Sequence, residues 1–553
     1  MNRRVGAAMA ALAALTACTN DADTPDPPAT STPDTSAVVT QCPDGLADAL
    51  AAWGEAGFSG SITVSTAGEF DCRAAYGLAD RATATPNTPD TVFSIGSVTK
   101  AFTAAAVADL VDSGQLDLGD RAGDVVDGLD GAVASVTVEQ LLRHTSGLTG
   151  SHGQDHEPLD RAAAVAAIAE LELAFEPGTD HLYSNAGYTL LALIVEEVSG
   201  SGFREYLASR VLPLPDGDVA GGFWDGEPAA PGPRAVGYLD GGPTEATGDF
   251  AGPHWALRGN GGLAMTTPEL AVWTHALFTG QVVARGAAGD AGWVSHDASR
   301  YGEPFLTAAG GGGDIGHDVV ALWVPRTEQV ITVASNTPAI TAEELLQAVG
   351  PALVTGEPVP APDTSAVAAD PEELAAAAGR YELPTAGSYT VAVRDAGLAI
   401  TAHGPDAVAA LFPPPRGVTS DDAAAHEDAV LSLLAGETQE GRDERALLAS
   451  DIGAIRNVDL AGTITSEGEL RTYVVVTAAE ETIMLWYALD EHGGIAGAEG
   501  PTDPPTLLVR PSNDGAFRPD DPAGGGAATT VRFEDGDMTV SGPTGRTTAR
   551  SAP

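Results

Sequence analysis

Gly96-Ser97-Val98-Thr99-Lys100, followed by the apolar run from Ala101 to Val111, is the stretch on which the reading of this chain turns. Lys100 is the single lysine among 27 basic residues; every other positive charge is arginine. A guanidinium solvates and pairs as well as an ammonium does, so a bias toward arginine removes surface lysines freely. An amine differs mainly in being able to lose its proton, and the one retained lysine therefore points to proton chemistry. The run reads as a helix closed by Ser113-Gly114, with Ser97 in its first turn. Residues i and i+3 share one helix face, which brings the Ser97 hydroxyl and the Lys100 amine toward hydrogen-bonding distance. The helix N-terminus also favours negative charge building up beside Ser97. A serine three before a lysine is, alone, usually ordinary helix surface, so the weight falls on its surroundings.

With 553 residues, 43% of them hydrophobic, the chain can bury more than one core, and two or three domains are expected. A formal net charge of −50 repels phosphate backbones and anionic membranes and argues against nucleic acid as a partner. Arg3-Arg4 and the apolar stretch Val5 to Leu15 are too short to span a bilayer and read as an export signal. Leu15-Thr16-Ala17-Cys18 resembles a bacterial lipobox. It implies a signal peptide over 1–18, lipidation of Cys18, and attachment to the extracytoplasmic face of the cell membrane. Residues 19–40, rich in Pro, Thr, Ser and Asp, read as a disordered tether. Cys42 and Cys72 remain as an even pair, for which a disulfide in an oxidising compartment is the natural reading and two reduced thiols the alternative. Such a bridge pins a helix at 44–54 to strands at Ser61–Ser65 and Arg73–Ala79.

Tyr76-Gly77-Leu78-Ala79-Asp80, Pro86-Asn87-Thr88-Pro89-Asp90 and Phe93 to Lys100 together resemble the opening of the class C β-lactamase-related serine hydrolases. That family includes penicillin-binding proteins, D-amino-acid peptidases and esterases. Leu141 to Leu148, Tyr183-Ser184-Asn185 and Gly259-Asn260-Gly261-Gly262-Leu263 resemble later stretches of it. The resemblance implies an α+β fold: a β-lactamase/transpeptidase-like catalytic domain over residues 41–355, with an antiparallel sheet and a helical subdomain. It also implies Ser97 as nucleophile, Lys100 and Tyr183 as its proton-transfer partners, and Asn185 in contact with Lys100 and a substrate amide. A phenol with an ordinary pKa of about 10 acts as a base only when a cation lowers that value, and Lys100 is the cation available. His144 reads as structural, on a helix-to-loop turn.

One family feature is missing. The strand that usually carries Lys or His, a small residue and Gly reads here Thr307-Ala308-Ala309-Gly310-Gly311-Gly312-Gly313-Asp314. Backbone N–H groups at Gly311 and Gly312 are the expected substrate contacts, since an oxyanion hole shared with the Ser97 N–H needs no side chain. His317 and Arg258 are the candidates to restore the absent cation. As a phosphate loop the glycine run fails, because strand and not helix follows it. His152 to Glu157 lacks metal-ligand spacing and reads as a solvated loop; no metal or cofactor is expected.

Residues 356–372 form a Pro-rich linker. Strand alternation at Tyr389–Val393 and Leu398–Ala402, and again at Thr529–Val540, resembles a lipocalin-like β-barrel built from 373–417 plus 504–550. Residues 418–503 read as an inserted α+β module, with helices at 421–434 and 442–449 and strands at 471–476 and 482–489. The expected function is acyl transfer through Ser97 on an ester, a β-lactam or a D-amino-acid peptide, with a small molecule or short peptide as substrate and the oligomeric state left open. The alternative is a catalytically weak surface binding protein that keeps the cleft.

Overall fold

Val319 to Val324 is apolar at every position and Val330 to Ala334 at every position but Thr332, the pattern of strands covered on both faces. The computed structural model describes residues 38–552 apart from 150–151, 154–157, 240–241, 245–253, 284–289, 313–314, 363–369, 386, 395–396, 415–417, 467–468, 480, 490–492, 513–514, 520–528, 535 and 544. Cys18, its signal segment and nearly all of the tether lie outside the described residues.

The central sheet has strands β1 (Val38–Gln41), β2 (Gly60–Thr66), β3 (Glu69–Tyr76), β4 (Val294–His296), β5 (Phe305–Gly312), β6 (His317–Val324) and β7 (Gln329–Ser335). Their order is β1-β3-β2-β7-β6-β5-β4, and the pairings are antiparallel. Side chains alternate across the sheet. Val320, Leu322, Ile331 and Val333 pack on one side against helices α1 (Asp44–Glu55) and, near the end of the domain, Ala342–Thr355. Ala308, Val319, Ala321 and Ala334 face the other side, toward helix α2 (Thr99–Asp112), helix α3 (Asn185–Ser199) and helix α4 (Thr267–Phe278); the Ala342–Thr355 helix is α5.

Eleven of the fourteen residues of α2 are buried, Lys100 among them, as expected of a helix that runs through the domain and not along its surface. Cys42 and Cys72 form a disulfide across 30 positions, joining the entry to α1 to strand β3. Gly310, Gly311 and Gly312 are the last residues of β5, and a strand, β6, follows the run, as the sequence implied.

After α5, the strands at 379–382, 388–394, 397–403, 506–511, 517–519, 530–534, 537–542 and 545–551 close into a barrel. Between its third and fourth strands run helices Ser420–Ala435 and Gln439–Ile452 and a four-stranded sheet from Asn457 to Glu499, two strands more than the alternation shows. No helix among the described residues is long and apolar enough to cross a membrane.

Candidate active site

The chain enters α2 through a 3₁₀ turn, Gly96–Val98, in which Gly96 takes a φ of +48°, a left-handed value that a side chain disfavours. This turn presents Ser97 at the mouth of the cleft and sends Lys100 into the protein. Lys100 Nζ donates to Ser97 Oγ at 2.9 Å, to Asn185 Oδ1 at 2.8 Å and to the Asn260 carbonyl at 3.1 Å. It also lies 4.6 Å from the centre of the Tyr183 ring, a cation–π contact. Ser97 Oγ is in turn 2.7 Å from Tyr183 Oη. While Lys100 donates to Ser97, the serine proton is free to point at the phenol, so the three groups form one proton path.

Tyr183 and Asn185 reach the cleft together because Ser184 between them starts α3: its hydroxyl accepts from the Gly187 N–H, a side-chain N-cap. The Ser184 N–H itself donates to His144 Nδ1 at 3.1 Å, and the His144 ring lies between Tyr183 (4.7 Å) and Tyr188 (5.0 Å). Burial, with Lys100 nearby, drives the His144 pKa down to about 3, so the ring is a neutral acceptor that holds the loop. His144 is structural here. Tyr183 exposes 51% of its surface, yet burial of its hydroxyl end raises its pKa, opposed by the hydrogen bond to Ser97. This is opposite to the lowering by Lys100 that the sequence reading required, and it leaves a protonated phenol.

Asn260, part of a family-like turn in the sequence, has a contact with Lys100 that the sequence reading does not give. Its side chain is tied to Thr189 Oγ1 (2.8 Å) and the Ala256 carbonyl (2.7 Å), which aims its own carbonyl at Lys100. The preceding carbonyls, Arg258 O and Gly259 O, accept from Thr189 and Thr103. Gly259 has room for no side chain, since a Cβ would stand 2.4 Å from the Tyr188 carbonyl oxygen.

The opposite wall is strand β5. A Cβ on Gly310 would lie 2.3 Å from the Ile95 oxygen and 2.4 Å from the Ser97 nitrogen, and one on Gly96 would lie 3.2 Å from the Gly311 nitrogen. Backbone therefore meets backbone, and the end of β5 lies directly beside the Ser97 amide. Gly312 pairs with His317 one residue further along. His317 does not supply a cation: it is buried, its Nδ1 accepts from the Ser94 N–H, and burial drives its pKa down to about 3. Arg258 does not either, because its guanidinium stacks over Trp255 and lines a separate cavity with Gly202 to Glu205. Instead an acid stands near: a Cβ on Gly311 would lie 2.2 Å from Asp318 Oδ2. Burial pushes the Asp318 carboxyl up to about 7, although the Glu343 N–H donates to it. His152, read as part of a solvated loop, is buried against the Trp255 carbonyl; 154–157 lie outside the described residues.

The sequence profile of the β-lactamase family matches residues 49–403. The chain belongs to the β-lactamase family of serine hydrolases. It is similar to the putative penicillin-binding protein PbpX of Bacillus subtilis (strain 168), 28% identical over 256 residues, 46% of this chain and 64% of that protein. It is also similar to penicillin-binding protein 4 of Amycolatopsis lactamdurans, 38% identical over 144 residues, 25% of this chain and 38% of the relative. The match thus spans less than two thirds of these relatives. Among solved structures, the octameric penicillin-binding protein homologue from Pyrococcus abyssi covers 91% of this chain and 99% of its own, with a TM-score of 0.52 and 18% identity. That likeness concerns the β-lactamase/transpeptidase-like fold alone.

Proposed function

We propose that this chain is a serine hydrolase that works through a covalent acyl-enzyme, anchored to the cell surface through Cys18. One observation carries the chemistry: Ser97 Oγ is hydrogen-bonded at once to Lys100 Nζ and Tyr183 Oη. Ser97 Oγ attacks the substrate carbonyl carbon and its proton passes to the Lys100 amine. The amides of Ser97 and Gly311 hold the resulting oxyanion. Tyr183, kept protonated by burial, hands a proton to the leaving group as the bond to it breaks, and the Lys100 ammonium returns the proton taken from Ser97 to the phenolate. Water then attacks the ester and frees Ser97.

The substrate is an ester, a β-lactam or a D-amino-acid peptide. Names of relatives point to penicillin as a ligand, while the bare glycines of β5 and the nearby Asp318 point away from substrates that need a carboxylate clamp. Labelling with a fluorophosphonate and with a fluorescent penicillin tests the proposal. Wild type is expected to take up at least the fluorophosphonate and Ser97→Ala neither reagent; equal labelling of the two proteins would refute it. Incorporation of labelled palmitate by wild type, lost in Cys18→Ser, is the expected result for the anchor.

The missing cation on β5 also favours a second reading, a binding lipoprotein that acylates and stays acylated. Time-resolved intact mass separates the two, because turnover restores the free enzyme mass and trapping does not.

A further inference from the structure

Away from Ser97, a cavity of about 610 Å³ opens among Gly202, Phe203, Arg204, Ala208, Pro228 and Arg258, with Glu205 and Glu227 exposed at its mouth. Its volume suits a small metabolite. Arg204 is committed: it pairs with Asp225 at 3.1 Å, donates to the Asp225 carbonyl at 2.7 Å and stacks on Phe223. Arg258 is not. Its guanidinium lies over the Trp255 ring at 4.9 Å and makes no hydrogen bond or ion pair among the described residues. Burial and the neighbouring Arg204 push its pKa down to about 10, opposed by the charges of Glu196 and Asp225. These two acids are each paired with another arginine, Glu196 with Arg161 and Asp225 with Arg204.

A planar guanidinium with free donors, facing a cavity with the apolar walls Phe203, Ala208 and Pro228, matches a carboxylate on an apolar stem. The two carboxylates at the mouth disfavour a simple anion and favour one that also carries an ammonium. We propose that this cavity binds a free α-amino acid, its carboxylate on Arg258, its side chain against Phe203 and Pro228, and its ammonium toward Glu205 and Glu227. The site is separate from the cleft: none of its lining residues contacts Ser97, and the proposal stands whether or not the chain is a hydrolase.

Calorimetry on the intact chain with methionine, as both enantiomers, tests it. Saturable binding by at least one enantiomer is expected, unchanged in Ser97→Ala. Arg258→Gln should weaken it about tenfold or more, the loss of a charge-assisted bidentate contact. Ala208→Trp, which fills the cavity and leaves Arg258 in place, should weaken it comparably, and thermal melts establish that both variants are folded. Methioninamide, with no carboxylate, should give no saturable heat, and 4-(methylthio)butyrate, with no ammonium, should bind several-fold more weakly than methionine. No binding of either enantiomer to wild type overturns the proposal. Undiminished binding to Arg258→Gln, or equal binding of the amide, does so as well.

Discussion

On the α2 side of the cleft, the proposed chemistry rests in side chains that several neighbours hold: Lys100 among Ser97, Asn185 and Asn260, and Tyr183 against His144. On the β5 side there are almost no side chains, only Ala309 and the glycines, and their backbone lies within contact of Ser97. One wall is specified by what its residues carry and the other by what they lack. Substitutions on the first should therefore fail because a chemical group is lost, and on the second because an atom is added.

Lys100→Arg is the sharpest test of the first wall and the largest expected effect. Arginine keeps the charge, but a guanidinium with a pKa above about 12 takes up no proton from Ser97, so acylation should fall by about 10³-fold or more. Rates of fluorophosphonate labelling, followed by intact mass, measure it. Wild-type rates would leave Lys100 a purely electrostatic role and remove the contrast between the walls.

Gly310→Ala tests the second wall. Its methyl group would meet the Ile95 oxygen and the Ser97 nitrogen, both backbone atoms that move only if β5 or the nucleophile turn shifts. Displacing one oxyanion donor costs about 10²–10³ in rate. The control is Gly311→Ala, whose methyl meets the end of the Asp318 side chain, which can rotate aside. A milder defect at 311 than at 310 is the expected order, and the reverse order would show that the strand edge is not set by contact with Ser97.

A smaller effect concerns substrate charge. A charge-assisted contact to a carboxylate contributes about 1.5–3 kcal/mol where a cation is present. With glycine on β5 and Asp318 behind it, that contribution is absent. An uncharged ester or amidated D-peptide should show kcat/KM at least equal to that of its free-acid counterpart, and up to about tenfold higher. A strong preference for the free acid that weakens with salt would reveal a cation facing the cleft.

The contrast also explains what the sequence made legible. Ser97, Lys100, Tyr183 and Asn185 could be named because their proposed roles belong to their residue types and their spacing survives in the chain. Asn260 could not, because it acts through a carbonyl that every residue has. Asp318 escaped notice because its place beside Gly311 comes from strand register, the pairing of Gly311 with Asp318. In the C-terminal part, the alternation at 389–393 and 398–402 is regular. The strand Asn457–Ser466 is masked by an irregularity between Leu460 and Gly462 that breaks the two-residue period. Ile495–Glu499 is an edge strand of small, largely exposed residues. The barrel closes across its insertion by pairing Leu398 with Val509, a long-range contact that no local pattern encodes.

The smallest effect is one of stability, and it bears on the acid of the second wall. Unfolded, Asp318 ionises near the ordinary carboxylate value of 3.8; folded, burial raises this to about 7. Between those values the native chain holds a proton that the unfolded chain has released, so this group makes stability fall as pH rises through the window, and the loss is complete above it. His144 and His317 act in the opposite sense, since their folded values near 3 lie below the ordinary 6.5 and their contribution is lost as pH falls. A bare pH–stability curve mixes the two trends, and a variant separates them. Asp318→Asn keeps a carbonyl oxygen for the Glu343 N–H that now donates to Asp318 Oδ1 at 3.0 Å, and it removes the titrating group. In a chain of this size its Tm advantage over wild type should be absent only below about pH 3.8, already begun at pH 5, and larger by about 1–2 °C at pH 8 than at pH 5. Scanning calorimetry at the two values decides. A variant equally destabilised at both would mean that Asp318 serves as a cap for α5 whose charge is immaterial, and the acidic character of the β5 wall would then rest on nothing.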